Sequence, residues 1–257
     1  MNNTKTDNSV NLIEMNFLTW DTPVLLRNKQ THHVTIKNIA DIMYTRDYQV
    51  WSDKGWSDIT KVVKKTLGSD QLFVDRIMTY TGIVDIVENS KLYDQQMDSK
   101  HDLLHMYPNY FYTNGCLLTR NKSFIYGQYF GDDMNLEKKS VPDIILNAQV
   151  MDIFAFIQGV LTTNKYYNNF NLGEKKRIVV LGKIAAQGLY YLLRKVGYNV
   201  LLSIIQDDMY CLEFSSIIYN CENKLKKICK VKLDKNDVYS IETQSGRFNA
   251  GIGRLII

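Results

Sequence analysis

HDLLH, residues 101–105, sets two histidines four apart. On a helix that spacing turns both imidazoles to one face, as a metal bound by paired nitrogen ligands requires, and Cys116 is a candidate third ligand. A second group is basic: KLKKICK at residues 224–230, and Lys175, Lys176 and Arg177 with Lys183, are charges of the kind that contact phosphate. For KLKKICK a solvated helix face or turn is the plainer expectation. The four cysteines, Cys116, Cys211, Cys221 and Cys229, form no CxxC pair, and no segment resembles a signal peptide. Free thiols in a reduced intracellular setting are therefore expected. No apolar run approaches the roughly 20 residues that span a bilayer, so a soluble or peripheral protein is expected.

These groups need elements to position them. Residues 1–11 are polar and without periodicity, which predicts disorder. From Phe17 to about Tyr93, short runs such as TPVLLRN, HHVTIKNI, YQVWSDKGWSDI, QLFVDRIMTY and GIVDIVE alternate apolar with polar residues between turn signals, predicting antiparallel β-structure. WSDKGW reads as a hairpin with Lys54 and Gly55 at its tip, and NIADIMYT as a short helix. SVPDIILNAQVMDIFAFIQGVL carries an apolar helical periodicity from Pro142 to Leu161, and KIAAQGLYYLLRKVGY another that stops at Gly197. NVLLSIIQ, YCLEFSSIIY and KVKLDKNDVYSIE return to strand texture. The last stretch, VYSIETQSGRFNAGIGRLII, predicts a strand, a turn and a strand whose Leu255, Ile256 and Ile257 are docked rather than frayed. The order is a β-domain interrupted by a mixed α+β insert, with the final strands completing the first domain.

Net charge is only +4, from 31 Lys+Arg against 27 Asp+Glu. Residues 116–230 hold 15 basic and 10 acidic side chains, so affinity for phosphate would reside in the insert. Abundant Asn, Lys, Ile and Tyr with three Pro is the mark of AT-rich coding, common in large DNA viruses and some bacteria.

VPDIILNAQVMDIFAFIQG, followed by GKIAAQGLYYLLRKVGYNVLLSI, resembles the second half of the LAGLIDADG-type homing endonuclease found inside inteins, particularly those of viral DNA polymerases. The flanks resemble the self-splicing Hint domain: LTWDTPVLLRN its opening block, TYTGIVDIVENSKL its second, DLLHMYP its junction with the endonuclease, and VYSIETQSGRFNAGIGRLII its closing strands. The resemblance implies a mostly β, horseshoe-like Hint domain in two parts, residues 17–115 and 231–257, around a reduced endonuclease-like insert at 116–230, with 1–16 a disordered lead. It also makes HDLLH a structural junction rather than a metal pair.

The family's splicing chemistry needs an N-terminal nucleophile, a Thr and His that polarise and protonate the scissile amide, an Asp and His in the closing block, and a final His-Asn. The matching positions here are Phe17, Val87, Ser90, Ser240 and Arg247, and the sequence stops before the final pair. The resemblance thus implies a scaffold without splicing catalysts. In the endonuclease part, FIYGQYFGDDM puts Asp132 at the first metal-carboxylate position and Asp133 where Gly is usual. FIQGVLTTNK puts Asn164 at the second, so two carboxylates are not available for a divalent ion. Gly127 and Gly159 are implied close-packing positions of the paired helices.

The expectation is a catalytically inactive, free-standing descendant acting as a structural or interaction protein, in the host cytoplasm or virion of a large DNA virus, with protein partners and no cofactor. The alternatives are a residual duplex-DNA-binding protein using the insert's cations, or a nuclease that would use magnesium at Asp132 with Asp133 or Asp152 as substitute ligand.

Overall fold

The computed structural model describes residues 15–42, 45–69, 71–87, 118–132, 139–164, 175–216 and 224–257. The lead 1–14, Ser90, HDLLH, Cys116, Asp133 and Cys221 lie outside the described residues. The chain is mostly β, with antiparallel sheets and few helices. In chain order the first strands are β1 Leu18–Thr19, β2 Pro23–Asn28, β3 Val34–Asn38, β4 Tyr48–Ser52, β5 Gly55–Thr66, β6 Phe73–Thr79 and β7 Gly82–Ile86. Helices α1 Arg120–Gly131, α2 Asp143–Leu146 and α3 Val150–Thr163 follow, then β8 Lys176–Leu181, helix α4 Lys183–Lys195, β9 Asn199–Gln206 and β10 Met209–Ser215. The chain closes with β11 Leu225–Lys232, β12 Asp237–Thr243 and β13 Ile252–Gly253.

Among the described residues ten strands form one sheet, ordered β11-β6-β7-β1-β12-β5-β4-β2-β3, with β13 also on β7; β8-β10-β9 form a second, three-stranded sheet. β12, from near the C-terminus, lies between β1 and β5, so its neighbours come from the first quarter of the chain. The closing residues are docked as their apolarity required: Ile257 and Phe248 exchange backbone hydrogen bonds, and Leu255, Ile256 and Ile257 are buried.

Local expectations are met with revisions. The hairpin turns one residue earlier than predicted, because Trp51 pairs with Trp56 and Ser52 with Gly55, leaving Asp53 and Lys54 at the tip. Ser52 Oγ donates to the Gly55 carbonyl at 2.8 Å and holds that register. NIADIMYT yields, among its described residues, one 3-10 turn, Ile39–Asp41, and the first residue of a second, Thr45–Asp47. Residues 224–230, expected as a helix face or turn, instead form most of β11, which pairs with β6 in the large sheet. The three-residue spacing of Leu225 and Ile228 imitates a helix, but the partner that makes it a strand lies some 150 positions away in sequence.

The long apolar run from Pro142 is two helices. Asn147 ends α2: its Nδ2 donates to the Asp143 and Val34 carbonyls, both at 2.8 Å, and its Oδ1 accepts from the Val34 N–H at 2.7 Å. One amide therefore both breaks the helix and pairs with the outer edge of β3. α4 ends as predicted, with Gly197 at φ 93° and the Tyr198 N–H returning to the Leu193 carbonyl.

Strand β2 shows why both faces of the large sheet are apolar. Val24 and Leu26 enter a core with Leu18, Val50 and Ile257, while Leu25 enters another with Val34, Trp51, the helices and the small sheet. Ten consecutive residues of α4, Ala185 to Arg194, are buried, and seven of them belong to the second core. Gln187 on that helix accepts from the Gly253 N–H at 2.6 Å and fixes β13.

α1 and α3 lie parallel. A Cβ on Gly127 would strike the Phe156 carbonyl, and one on Gly159 the Phe124 carbonyl, while the two glycines meet within 3.0 Å of those positions. The pair therefore tolerates no side chain at either point. Gly127→Ala is expected to lower stability by about 1–3 kcal/mol, read from the urea midpoint, whereas Asn121→Ala on the exposed side stays within about 0.5 kcal/mol.

Candidate functional site

The positions aligned with splicing chemistry are brought together only in part. Leu18 pairs with both Ile86 and Tyr239, so the flanking residues Phe17, Val87 and Ser240 gather where β1, β7 and β12 meet. The Val87 N–H donates to the Phe17 carbonyl at 2.8 Å. Phe17 and Val87 pack on Leu67, Val74, Leu233 and Val238, and Ser240 is buried opposite Val63. A phenyl ring, an isopropyl group and a hydroxyl supply no acid or base that titrates near neutral pH. Arg247 is held elsewhere, with its guanidinium 3.3 Å from Asp53 in the β4–β5 turn.

The C-terminal ends of α1 and α3 form the second location. Asp132 caps α1, and Lys139 donates to its carbonyl and to those of Tyr129 and Phe130, at 3.0 and 3.2 Å for the latter two. The ammonium thus satisfies the carbonyl end of the helix. Asn164 caps α3 at 5% exposure; its Nδ2 donates to the Val179 carbonyl of β8 at 2.8 Å, and its Oδ1 is buried without a partner among the described residues. Its amide donor links the helix end to the small sheet. Asp152 sits in the first turn of α3, roughly 18 Å along the axis from Asn164, so it is not a substitute ligand there. Among the described residues no group of three or more His, Cys, Asp or Glu side chains is arranged to hold a metal.

The four cations read as phosphate contacts do not form one surface. Lys175 and Arg177 both pair with Glu213, at 3.2 and 2.9 Å, which draws its carboxyl below the usual range against the opposing effect of burial. Lys176 is half-buried at the start of β8. Lys183 points inward: its ammonium lies 2.7 Å from Asp21, 2.8 Å from Asp85 and 3.3 Å from the Thr19 hydroxyl.

Lys183 thereby completes a buried network that the sequence reading missed. Arg76 faces Asp85 across the β6–β7 ladder and donates to both carboxylate oxygens, at 2.7 and 2.8 Å. Burial opposes ionisation of Asp85, but Arg76 and Lys183 outweigh it and hold the carboxyl below its ordinary value. Burial likewise opposes the Lys183 charge, and Asp85 and Asp21 outweigh it and raise its pKa. The signal was available: one Asp inside the apolar strand GIVDI is a buried charge that needs partners.

A cleft of about 410 Å³ opens beside this network, lined among others by Trp20, Lys37, Asp41, Lys139 and Asp208. Its cations are engaged: Lys183 with two carboxylates, Lys139 with the carbonyls of α1, and Lys37 over the Tyr48 ring at 5.0 Å. The cleft therefore offers a charge-balanced wall rather than a phosphate cradle.

No family model matches the chain. It is similar to a DNA polymerase of Acanthamoeba polyphaga mimivirus. The two are 24% identical over 308 aligned residues, which cover 83% of this chain and 17% of the polymerase. The chain spans about a sixth of that relative's length. Since 308 positions exceed the 257 residues of the chain, the polymerase carries residues in this region that the chain lacks. Among the described residues no helix is long and apolar enough to cross a membrane.

Lys183→Met is expected to cost about 3–5 kcal/mol in denaturant unfolding, because Asp85 and Asp21 lose a buried partner. Since the folded pKa of Asp85 is depressed, its contribution is full above the unfolded value of roughly 3.9 and is lost as pH falls through the folded one. Acid titration of stability should therefore be shallower below about pH 4 in Asp85→Asn than in the parent chain.

Proposed function

We propose that this chain is a catalytically inactive descendant of an intein, a Hint-like sheet with a reduced LAGLIDADG-like insert, reused as a structural or interaction protein of a large DNA virus. The observation that carries the reading is the meeting of Phe17, Val87 and Ser240. Residues distant in sequence converge where the family's chemistry needs a nucleophile and proton donors, and the side chains there are apolar or neutral. A framework that keeps its long-range register after losing those groups is maintained for folding and contact.

The resemblance to part of a viral polymerase, with residues missing from the matched region, supports the same origin. The parallel helices support it further, since Gly127 and Gly159 keep the close approach while the second helix ends in an amide. Among the described residues one carboxylate, Asp132, stands at these helix ends, with Asp152 at the far end of its helix, which speaks against two-metal cleavage.

Two measurements test the reading. Incubation with plasmid and magnesium should leave the DNA intact, with no difference between the parent chain and Asp132→Ala; cleavage that disappears in the variant overturns the inactive reading. Fractionation of the native source should find the protein within a defined assembly, and a monomer in every fraction overturns the interaction role.

A further inference from the structure

β11 is the terminal strand of the ten-stranded sheet, and its outer edge pairs with no described strand. Its sequence, LKKICKVK, holds Lys226, Lys227, Lys230 and Lys232 and no acid, and Lys224 precedes it. Leu225 and Ile228 are 59% and 52% exposed, and Phe73, opposite Lys232, is 53% exposed. An open ladder flanked by exposed apolar side chains is a template for strand addition.

The cross-strand register sorts the side chains by face. Ile228, Lys230 and Lys232 share a face with Ile77, Asp75 and Phe73, whereas Lys227, Cys229 and Val231 share the other with Met78, Arg76 and Val74. Asp75 balances Lys230 at 3.0 Å, and Lys226 lies over the Tyr80 ring at 5.7 Å. One side is thus basic, with Ile228 and Phe73 exposed beside its lysines; the other is more apolar, with Cys229 and Val231 half-buried. A second copy of β11 would set lysine against lysine, so like charge opposes self-pairing.

We infer that the outer edge of β11 accepts an extended segment of a partner protein in which acidic and apolar residues alternate. The acidic side chains lie along the face of Lys230 and Lys232, the apolar ones along that of Cys229 and Val231, and the backbone completes the ladder. Duplex DNA is the weaker fit: successive strand residues point to opposite faces, and the exposed Leu225, Ile228 and Phe73 find no match on a phosphate backbone. The inference rests on the interaction role proposed above and names the surface and the partner's chemistry.

The test titrates the full chain at low salt with an N-acetylated, C-amidated peptide of alternating Glu and Val, matched in length to β11. Fluorescence anisotropy reads binding, and hydrogen exchange reads protection of β11 amides. Binding with protection in β11 is expected, weakened about tenfold or more in the Lys230→Gln, Lys232→Glu double variant, whose fold is checked by circular dichroism. A peptide of the same sequence, N-methylated at alternate residues on its ladder-facing side, should bind about tenfold more weakly still, because charge alone does not need the N–H groups. No binding, equal binding of the N-methylated peptide, or displacement of the peptide by a short DNA duplex overturns the inference. Failure here with the native assembly intact removes this surface and leaves the interaction role standing.

Discussion

A carboxylate inside a β-sheet is tolerable only if cations reach it, and Asp85 sets that condition for the whole molecule. Arg76, its neighbour across the ladder, supplies one partner from the same sheet. The second, Lys183, comes from the first turn of α4, so the charge cannot be balanced fully until the helix has docked. An unpaired buried ion costs several kcal/mol, a large share of the stability of any domain. The network therefore penalises separation of the helical part from the large sheet. Asn147, bonded to β3, and Gln187, bonded to β13, tie the same parts with neutral hydrogen bonds.

Packing follows the same logic. One core runs from Leu25, Trp51 and Ile83 in the large sheet through α3 and α4 to Tyr210 and Phe214 in the small one, so the two sheets share a common interior. α4 is covered on all sides, which suits an element that must meet β3, β8, β9, β10 and β13. Tyr210 is wholly buried near Arg76 and Asp85, and burial pushes its hydroxyl up so that it stays neutral beside them. The shared core and shared charge network act in the same direction, coupling a sheet drawn from both ends of the chain to elements from its middle.

On the proposed reading, this coupling is what has been kept. Catalysis needs a few groups held to within a fraction of an ångström, and Phe17, Val87 and Ser240 are apolar or neutral where the ladders that carry them are kept. Phe17 still takes its backbone bond from Val87, and Asn164 still caps its helix while giving its amide hydrogen to β8. The frame still presents edges and faces for contact, among them the lysine-lined outer edge of β11, which pairs with no described strand.

Much of the fold was legible because alternation and helical periodicity are local. VYSIE, TPVLLRN and FVDRIM announce strands by their own pattern, KIAAQGLYYLLRK a helix ended by Gly197, and the apolar closing residues their own burial. The close approach at Gly127 and Gly159 was likewise readable from residue identity at those positions. Partner choice was not local. Whether LKKICKV is strand or helix depends on β6, whether Asn147 breaks a helix depends on Val34, and whether Lys183 meets solvent or two carboxylates depends on a strand about a hundred residues earlier. Sequence alone determined which residues are apolar and which are charged. Only the tertiary structure decided which charges are buried together, because the energy of an ion depends on what surrounds it and not on its place in the chain.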